Sequence, residues 1–430
     1  MLDKIFSKIE KFMPEKWFHV LNHEGFKRYF ANTGWMFFGQ MFSLLVSFFI
    51  GAWIARYLGP EKYGLVSYVV AFVGLFGFVS TLGTDGILNR ELVSHPEKRD
   101  ELMGTGFRIR MIGGVLAFLI STIAAFILGE NSYTRALIIM FGVSFLLQAP
   151  YIINIFFYSQ VKAKENIKAQ VISAVISSIL KIILILSGGG VIWLLVVFVA
   201  DSIWQGILLF FFYQAQGFSF LRWKFKKDLA KEIWRDSWPL MLSSAAAFIY
   251  LKIDQVMVGK IMGDSAVGIY AAGVKITEIF YFLPGIICGS LFPAIVNARN
   301  TNKDLYYRRL KNFYFLLGSL GFLVAAPIAF FAKPIISIIF GSEYLAAIPV
   351  LQIYIWSSIG LFLAAAAGQQ LMAENRSKDI FLVNFISMII NVGLNFILIP
   401  KLGIIGAAVA TLITYFVTPT WMLFLKRKNI

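Results

Sequence analysis

The amino-acid sequence predicts an all-α protein that crosses a membrane about twelve times, because it carries about twelve apolar runs of the roughly 20 residues that a bilayer core requires. Composition supports this fold class: 59% of the 430 residues are hydrophobic, only 14% are charged, and the mean hydropathy is +0.75. A soluble domain is about a quarter charged, so a water-soluble globule is excluded. The single cysteine, Cys288, excludes an intramolecular disulfide.

The apolar runs form two sets of six. The first set is predicted at residues 32–57, 63–84, 106–128, 134–159, 169–189 and 191–213. The second set is predicted at residues 238–260, 267–296, 310–332, 346–372, 379–399 and 403–425. We therefore predict four segments: a cytosolic amphipathic segment 1–31, an N-terminal six-helix bundle 32–214, a cytosolic linker 215–236 and a C-terminal six-helix bundle 237–430.

A glycine-containing turn indicates that the second set repeats the first. The segment Gly59–Gly64 joins two apolar runs, and glycine can adopt backbone angles that other residues avoid. The same spacing returns 204 residues later, pairing Gly59 with Gly263, Gly64 with Gly268, Arg56 with Lys260, and Phe76 with Phe280. Internal repeats are a known architecture of transporters. The alternative is two unrelated hairpins that both require glycine.

Loop charge predicts the orientation. On one side of the predicted membrane lie 30 of the 39 Lys and Arg residues. Cytosolic loops carry this excess, so we expect both termini in the cytosol of a cell whose plasma (inner) membrane holds the chain. Two halves with the same orientation are a parallel repeat, with an axis along the membrane normal. The net charge of +16 is then a property of cytosolic loops rather than a sign of nucleic-acid binding.

Residues 1–31 contain no long apolar core of the kind found in a secretory signal. Apolar residues from Leu2 to Met13 follow helical spacing, which predicts a short amphipathic helix. Such a helix lies either on the membrane surface or against the cytosolic ends of other spans.

Away from the ends of the predicted spans lie six charged residues, and an unpaired charge at such depth costs about 2.5 kcal/mol or more. They are the cations Lys181, Lys252 and Lys275 and the carboxylates Asp201, Asp254 and Glu278. One interpretation is a set of structural ion pairs that hold helices together. The other is a polar cavity in which the three lysines bind an anionic headgroup. Arg56 and Lys260, at matching places in the two turns, would extend the positive field of that cavity.

Other polar residues are expected to support the fold. Asn391 and Asn395 are four residues apart and share one helix face, so we expect their amides to hydrogen-bond a neighbouring span. Asp85 and Arg90 lie at the cytosolic end of the second span. A structural or gating role is expected for these four residues and for Gly59, Gly64, Gly263 and Gly268.

The sequence contains no catalytic or metal-binding pattern, so an enzyme is not predicted. The three histidines lie in predicted cytosolic segments without further ligands, and there is no G-x-x-x-x-G-K-[ST] phosphate loop. Directional transport without ATP requires another driving force. No cofactor is expected, and Asp201, Asp254 and Glu278 are the candidate carriers of a coupling H⁺ or Na⁺.

Three stretches resemble the Wzx-type flippases of the polysaccharide biosynthesis protein family, within the MATE-like (MOP) exporter superfamily. They are Ala55–Gly64 continuing to Leu82–Glu91, Lys252–Asp254 with Val267–Ala272 and Leu291–Pro293, and Asn391–Thr411. The resemblance implies two six-helix bundles that face each other as a V around an aqueous cavity. It implies export of an undecaprenyl-pyrophosphate-linked oligosaccharide to the outer leaflet, for a surface polysaccharide such as O-antigen in lipopolysaccharide or a capsule. The partners implied are membrane lipids and other polysaccharide assembly proteins, with no nucleic acid.

The sequence leaves two rival functions open. A MATE-type multidrug or cation antiporter should have an acidic cavity, whereas the cavity predicted here is basic, which counts against it. A membrane polymerase or ligase acting on the same lipid carrier needs large outer loops, and the predicted outer loops are short.

Overall fold

The computed structural model describes residues 24–374 and 376–427, and the regular secondary structure in these ranges is helical. The predicted amphipathic helix near the N-terminus lies outside the described residues. The first half contains α1 (Glu24–Gly74), α2 (Gly77–Thr81), α3 (Asp85–Ser94), α4 (Arg99–Ile127), α5 (Ser132–Gly142), α6 (Ile152–Ser159), α7 (Ala163–Leu186) and α8 (Val191–Ala215). The second half contains α9 (Lys227–Met262), α10 (Asp264–Glu278), α11 (Phe282–Thr301), α12 (Lys303–Phe330), α13 (Ala332–Ile339), α14 (Ile348–Tyr354), α15 (Ser357–Ala373), α16 (Ser377–Leu402) and α17 (Ile404–Arg427).

The number of membrane crossings agrees with the prediction. Among the described residues, nine helices are long and apolar enough to span a membrane, or up to eleven if each of two bent helix pairs counts as one span. The first of the nine, Gly34–Gly74, holds two helices joined at Gly59, where the backbone is not helical. This junction adds one crossing, so the structure agrees with the twelve spans of the sequence prediction. Large side chains such as Ile127, Phe330 and Phe396 are more than 70% exposed, as expected for residues that face lipid.

The two halves have the same construction. Gly59 and Gly263 adopt nearly the same left-handed backbone, with φ of 72° and 86°. The helix that follows each glycine ends at matching positions, Gly74 and Glu278. Each half also has a broken fourth span, Ser132–Ser159 in the first and Ser342–Ala373 in the second, bent by about 40° in both. These shared breaks support the parallel repeat and exclude two unrelated hairpins.

Gly64 and Gly268 are glycine for a reason other than backbone angle. Neither has a positive φ, because the helices resume directly after Gly59 and Gly263. Instead, the two helices cross here: a Cβ on Gly64 would lie 1.8 Å from the Asp264 carbonyl oxygen, and one on Gly268 would lie 2.0 Å from that of Pro60. The expectation that Gly64 and Gly268 are turn residues is therefore wrong. They form a close contact between the two halves.

We expect Gly64→Ala to separate the halves at this crossing, because the added methyl group overlaps backbone atoms that cannot move independently. Overpacking of this kind costs about 1–3 kcal/mol. The measurement is thermal stability of the purified protein, with Gly34→Ala as control because a Cβ there meets no atom within 4 Å. Equal stability of the two variants would contradict the close packing.

The predicted linker is docked on the first half. Its backbone amides bond α4: Lys224 N–H donates to the Asp100 carbonyl oxygen at 3.0 Å, and Lys226 N–H donates to Thr105 Oγ1 at 3.1 Å. From Lys227 onward the segment is already helical and forms the first turns of α9. The linker therefore positions the start of the second half against the first.

Candidate functional site

A polar cavity lies between the two halves. It has a volume of about 330 Å³ and is lined by side chains of α1, α7 and α8 from the first half and of α9 and α10 from the second. The three lysines predicted within spans, Lys181, Lys252 and Lys275, all line it, together with the carboxylates Asp201 and Glu278. The chain thus brings five of the six predicted intramembrane charges to one place.

Each half contributes one ion pair to the cavity. In the first half, Lys181 Nζ lies 3.0 Å from Asp201 Oδ2, and in the second, Lys252 Nζ lies 3.2 Å from Glu278 Oε1. All four side chains are only partly exposed. The structural interpretation, in which lysines compensate carboxylates, therefore holds for these two lysines.

Lys275 differs from the other two lysines. It lies three residues before Glu278 on α10, a spacing at which two side chains share a helix face. Glu278 instead pairs with Lys252, and Lys275 makes no ion pair or hydrogen bond within the described part of the chain. The cavity therefore carries three cations against two anions, and its excess positive charge belongs to Lys275.

We expect Lys252→Met alone to destabilise the protein, because it leaves Glu278 unpaired inside the membrane. Adding Glu278→Gln should restore much of the loss, with a coupling free energy of about 0.5–3 kcal/mol. A double-mutant cycle in thermal unfolding measures this coupling. The control cycle uses Lys168 and Glu165, an i,i+3 pair 3.0 Å apart whose lysine is 40% exposed and for which about 0.3–0.5 kcal/mol is expected. Strictly additive effects at Lys252 and Glu278 would show that the pair contributes no stability.

The cavity is also lined by neutral polar residues, which a search for charged residues within the spans does not find. On α7, Gln170, Ser173 and Ser177 line the cavity on the same face as Lys181, and Ser43 faces it from α1. Polar residues recurring every three or four positions in an apolar span are a detectable sequence signal. Ser177 is 3% exposed and its hydroxyl has no hydrogen-bond partner among the described atoms.

Asp254 lies outside this cavity, in a buried polar cluster of the second half. It is two residues from Lys252 on α9, a spacing that points the two side chains to different sides of the helix. Its carboxylate is 4% exposed and accepts hydrogen bonds from Tyr270 Oη at 3.0 Å, Asn395 Nδ2 at 2.5 Å and the Thr411 hydroxyl. Among the described residues no cation pairs with it, so its negative charge has only neutral partners.

Asn391 and Asn395 belong to the same cluster. Both are fully buried, and Asn395 Nδ2 lies 3.2 Å from Asn391 Oδ1 on α16. The prediction that these amides bond a neighbouring span is confirmed for Asn395, which reaches Asp254 on α9. Asn395 Oδ1 is buried and accepts no hydrogen bond from the residues that the structure describes. The cluster therefore has a free oxygen acceptor beside its carboxylate.

Arg56 and Lys260 do not line the cavity. Each contacts the opposite half instead: Arg56 Nη1 donates to the carbonyl oxygen of Ile338 near the end of α13 at 3.1 Å, and Lys260 Nζ lies 2.9 Å from the Leu128 carbonyl oxygen and 2.7 Å from Glu130 Oε1. The expectation that they extend the cavity's positive field is not supported by these contacts. They form a symmetric pair of links between the halves, beside the glycine crossing.

Asp85 and Arg90 lie at the opposite end of the molecule. Asp85 accepts from Arg110 on α4 at 2.5 Å, while Arg90 pairs with Glu91 at 2.8 Å and with Asp236 on α9 at 3.5 Å. The second contact again joins the two halves. These positions are compatible with the predicted structural or gating role, which stays a prediction.

Two six-helix halves around a polar cavity, with lipid-facing apolar surfaces, define a multi-pass membrane transporter architecture. The chain belongs to the family described as polysaccharide biosynthesis protein, whose characteristic sequence it matches over residues 29–299. Residues 239–397 also match the MatE family. The predicted resemblance is thereby confirmed.

The sequence identity to individual relatives is low. The chain is 23% identical to a putative O-antigen transporter of Shigella flexneri, over 88% of this chain and 93% of that protein. It is 27% identical to the probable low-salt glycan biosynthesis flippase Agl15 of Haloferax volcanii, but over 41% of this chain and only 37% of that protein. The chain thus matches little more than a third of this archaeal relative.

A solved structure confirms the fold. An inward-facing multidrug resistance MATE family transporter of the MOP superfamily superposes with a TM-score of 0.76 at 15% identity, covering 90% of this chain and 96% of the other. At this identity the likeness establishes the MATE-like, V-shaped arrangement of the two bundles and no shared substrate.

Proposed function

We propose that this protein is a flippase that moves an undecaprenyl-pyrophosphate-linked oligosaccharide from the cytosolic to the outer leaflet, for the synthesis of a cell-surface polysaccharide. The observation that carries the proposal is the excess cation, Lys275, in a polar cavity between two membrane-embedded halves. A diphosphate with sugars is anionic and polar, and cannot cross hydrocarbon without a polar path. Lysines offer it charge-assisted hydrogen bonds.

The two halves are closely packed at one end of the cavity. The crossing of Gly64 and Gly268 lies at the end away from the linker, which the charge distribution predicts to be the outer face. A second, largely apolar groove of about 440 Å³ lies beside the cavity, between Phe37 on α1 and Phe282 on α11, and Gln170 lines both spaces. The prenyl chain would remain in this groove and in lipid while the headgroup occupies the cavity. Alternating access then requires opening of the outer contact.

The Asp254 cluster is our candidate for ion coupling. A buried carboxylate without a cationic partner is costly in a low-dielectric interior, so it is neutralised by a proton or by a bound cation. The surrounding oxygens of Asn391, Asn395 and Thr411 are ligands that a hard cation such as Na⁺ accepts. Asp201 and Glu278, by contrast, already have lysine partners. We therefore assign the coupling of H⁺ or Na⁺ to Asp254.

The rival function is a MATE-type antiporter for drugs or other cations. Its support is the shared fold and the MatE match to residues 239–397. The charge of the cavity opposes it, because an extra lysine would repel a cationic substrate.

Reconstitution tests the proposal directly. Purified protein in vesicles should increase the rate at which a diphosphate-linked sugar lipid, placed in one leaflet, becomes accessible to an impermeant glycan-modifying enzyme on the other side. Protein-free vesicles and vesicles with heat-denatured protein are the controls. An unchanged rate, or transport of an organic cation in its place, would reject the flippase proposal.

We expect the linker to face the cytosol. In a Cys288→Ala background, Leu221→Cys offers a labelling site in the linker, because Leu221 is 82% exposed. An impermeant maleimide added to intact cells should leave this site unlabelled until the membrane is permeabilised. Lys333→Cys, an exposed position at the opposite end of the second half, should be labelled from outside. The reverse pattern would invert the orientation and the transport direction proposed here.

A further inference from the structure

The two walls of the cavity differ in charge. On the second half, Lys252 and Lys275 face one carboxylate, Glu278, which leaves a net positive charge. On the first half, Lys181 is compensated by Asp201 at 3.0 Å, so this wall is neutral overall. A substrate with an anionic part and a neutral part would therefore bind in one orientation, with its anionic part against the second half.

The neutral wall is rich in small oxygen-bearing side chains. Ser43 and Ser47 lie one helical turn apart on α1, and Gln170, Ser173 and Ser177 follow helical spacing on α7. Serine hydroxyls both donate and accept hydrogen bonds, as sugar hydroxyls do. Their small size also leaves space for a ring between the helices.

Several of these oxygen atoms make no hydrogen bond in the structure. Within the described part of the chain, Ser43 Oγ, Ser177 Oγ and Asp201 Oδ1 are buried side-chain atoms with no hydrogen-bond partner. Buried polar atoms are normally paired, since leaving one unpaired costs about 1–3 kcal/mol. Three of the twelve such atoms in the described residues lie on this one cavity wall, where a bound ligand can complete their hydrogen bonds. Ser177 is 97% buried, so bulk water does not satisfy it in the usual way.

We propose that the first-half wall is the subsite for the sugar adjacent to the diphosphate, with Ser43, Ser177 and Asp201 bonding a neutral, hydroxyl-rich ring. The diphosphate then lies against Lys252 and Lys275 on the opposite wall. This inference rests on the proposed flippase function and adds the direction in which the headgroup lies and the residues that distinguish a sugar-bearing lipid from the bare carrier.

Binding of two matched probes to the purified protein tests the subsite. One probe is farnesyl diphosphate, and the other is the same lipid carrying a single N-acetylglucosamine on the diphosphate. We expect Ser177→Ala to weaken binding of the sugar-bearing probe about three- to tenfold, the effect of one neutral hydrogen bond, and to leave the bare diphosphate unchanged. Ser43→Ala, on a different helix, should act in the same direction, which guards against a local packing effect.

Ser187→Ala is the matched control, because Ser187 is an exposed serine just after α7 that does not line the cavity. Lys275→Gln should weaken both probes, and the bare diphosphate at least as strongly because its terminal phosphate carries more negative charge. The sugar subsite is overturned if Ser177→Ala and Ser43→Ala change neither probe or weaken both equally. Failure of the wild-type protein to bind either probe would instead overturn the proposed flippase function, and the subsite with it.

Discussion

Lys275→Met is expected to reduce translocation of the sugar lipid by about a hundredfold or more. A charge-assisted hydrogen bond contributes about 1.5–3 kcal/mol, and two such bonds to a diphosphate correspond to factors of at least a hundred. Unlike Lys252, Lys275 has no carboxylate partner that its loss would leave unpaired. The protein should therefore fold normally, and the defect should appear in transport alone.

The measurement is the vesicle assay, scored per molecule of folded protein. Lys275→Arg should retain part of the activity, because it keeps the charge but changes the shape of the donor group. Lys401→Met removes an exposed lysine at the end of α16, away from the cavity, and should transport at the wild-type rate. Transport at the wild-type rate by Lys275→Met would show that Lys275 does not bind the headgroup.

Asp254→Asn is expected to abolish the dependence of transport and stability on the coupling ion. The amide keeps nearly the same shape but cannot carry the charge that a proton or Na⁺ neutralises. If the ion is Na⁺, the wild-type protein gains about 2.7 kcal/mol of stability at a concentration one hundred times the dissociation constant, and the variant gains none. If the ion is H⁺, the pH dependence of transport should disappear in the variant.

Thermal unfolding in matched NaCl and choline chloride buffers, repeated across pH, separates these two ions. Asp201→Asn is the control, because its carboxylate is already paired with Lys181 and should not bind the coupling ion. Ion dependence that survives in Asp254→Asn, or that is lost in Asp201→Asn, would move the coupling site to the cavity.

Much of the architecture could be predicted from patterns in short stretches of the sequence. Bilayer thickness makes each span a long apolar run, so hydropathy predicts the number and approximate place of the helices. The 204-residue offset between Gly59 and Gly263 identified the repeat, because a left-handed junction requires glycine in both copies. Lys275 and Asp254 could be singled out because charges inside a membrane are rarely accidental.

Pairings between distant residues were not accessible in this way. Spacing along α10 puts Lys275 within reach of Glu278, but the packing of α9 against α10 pairs Glu278 with Lys252. Arg56 and Lys260 were expected to extend the positive field of the cavity, yet backbone carbonyl oxygens of the opposite half accept their hydrogen bonds. The sequence indicated a turn residue at Gly64, whereas in the structure the crossing helix leaves no space for a side chain there.

Hydrophobicity and helical periodicity depend only on neighbours in the chain, so the number of spans and the candidate charges followed from the order of amino acids, as did the prediction of their orientation. Which of those charges remain uncompensated depends on contacts between helices far apart in sequence. Only the packed structure assigns the excess charge to Lys275, the isolated carboxylate to Asp254 and the unpaired hydroxyl to Ser177. Electrostatic and hydrogen-bond energies fall off over a few ångströms, and distances of that size between separate helices are set by tertiary packing.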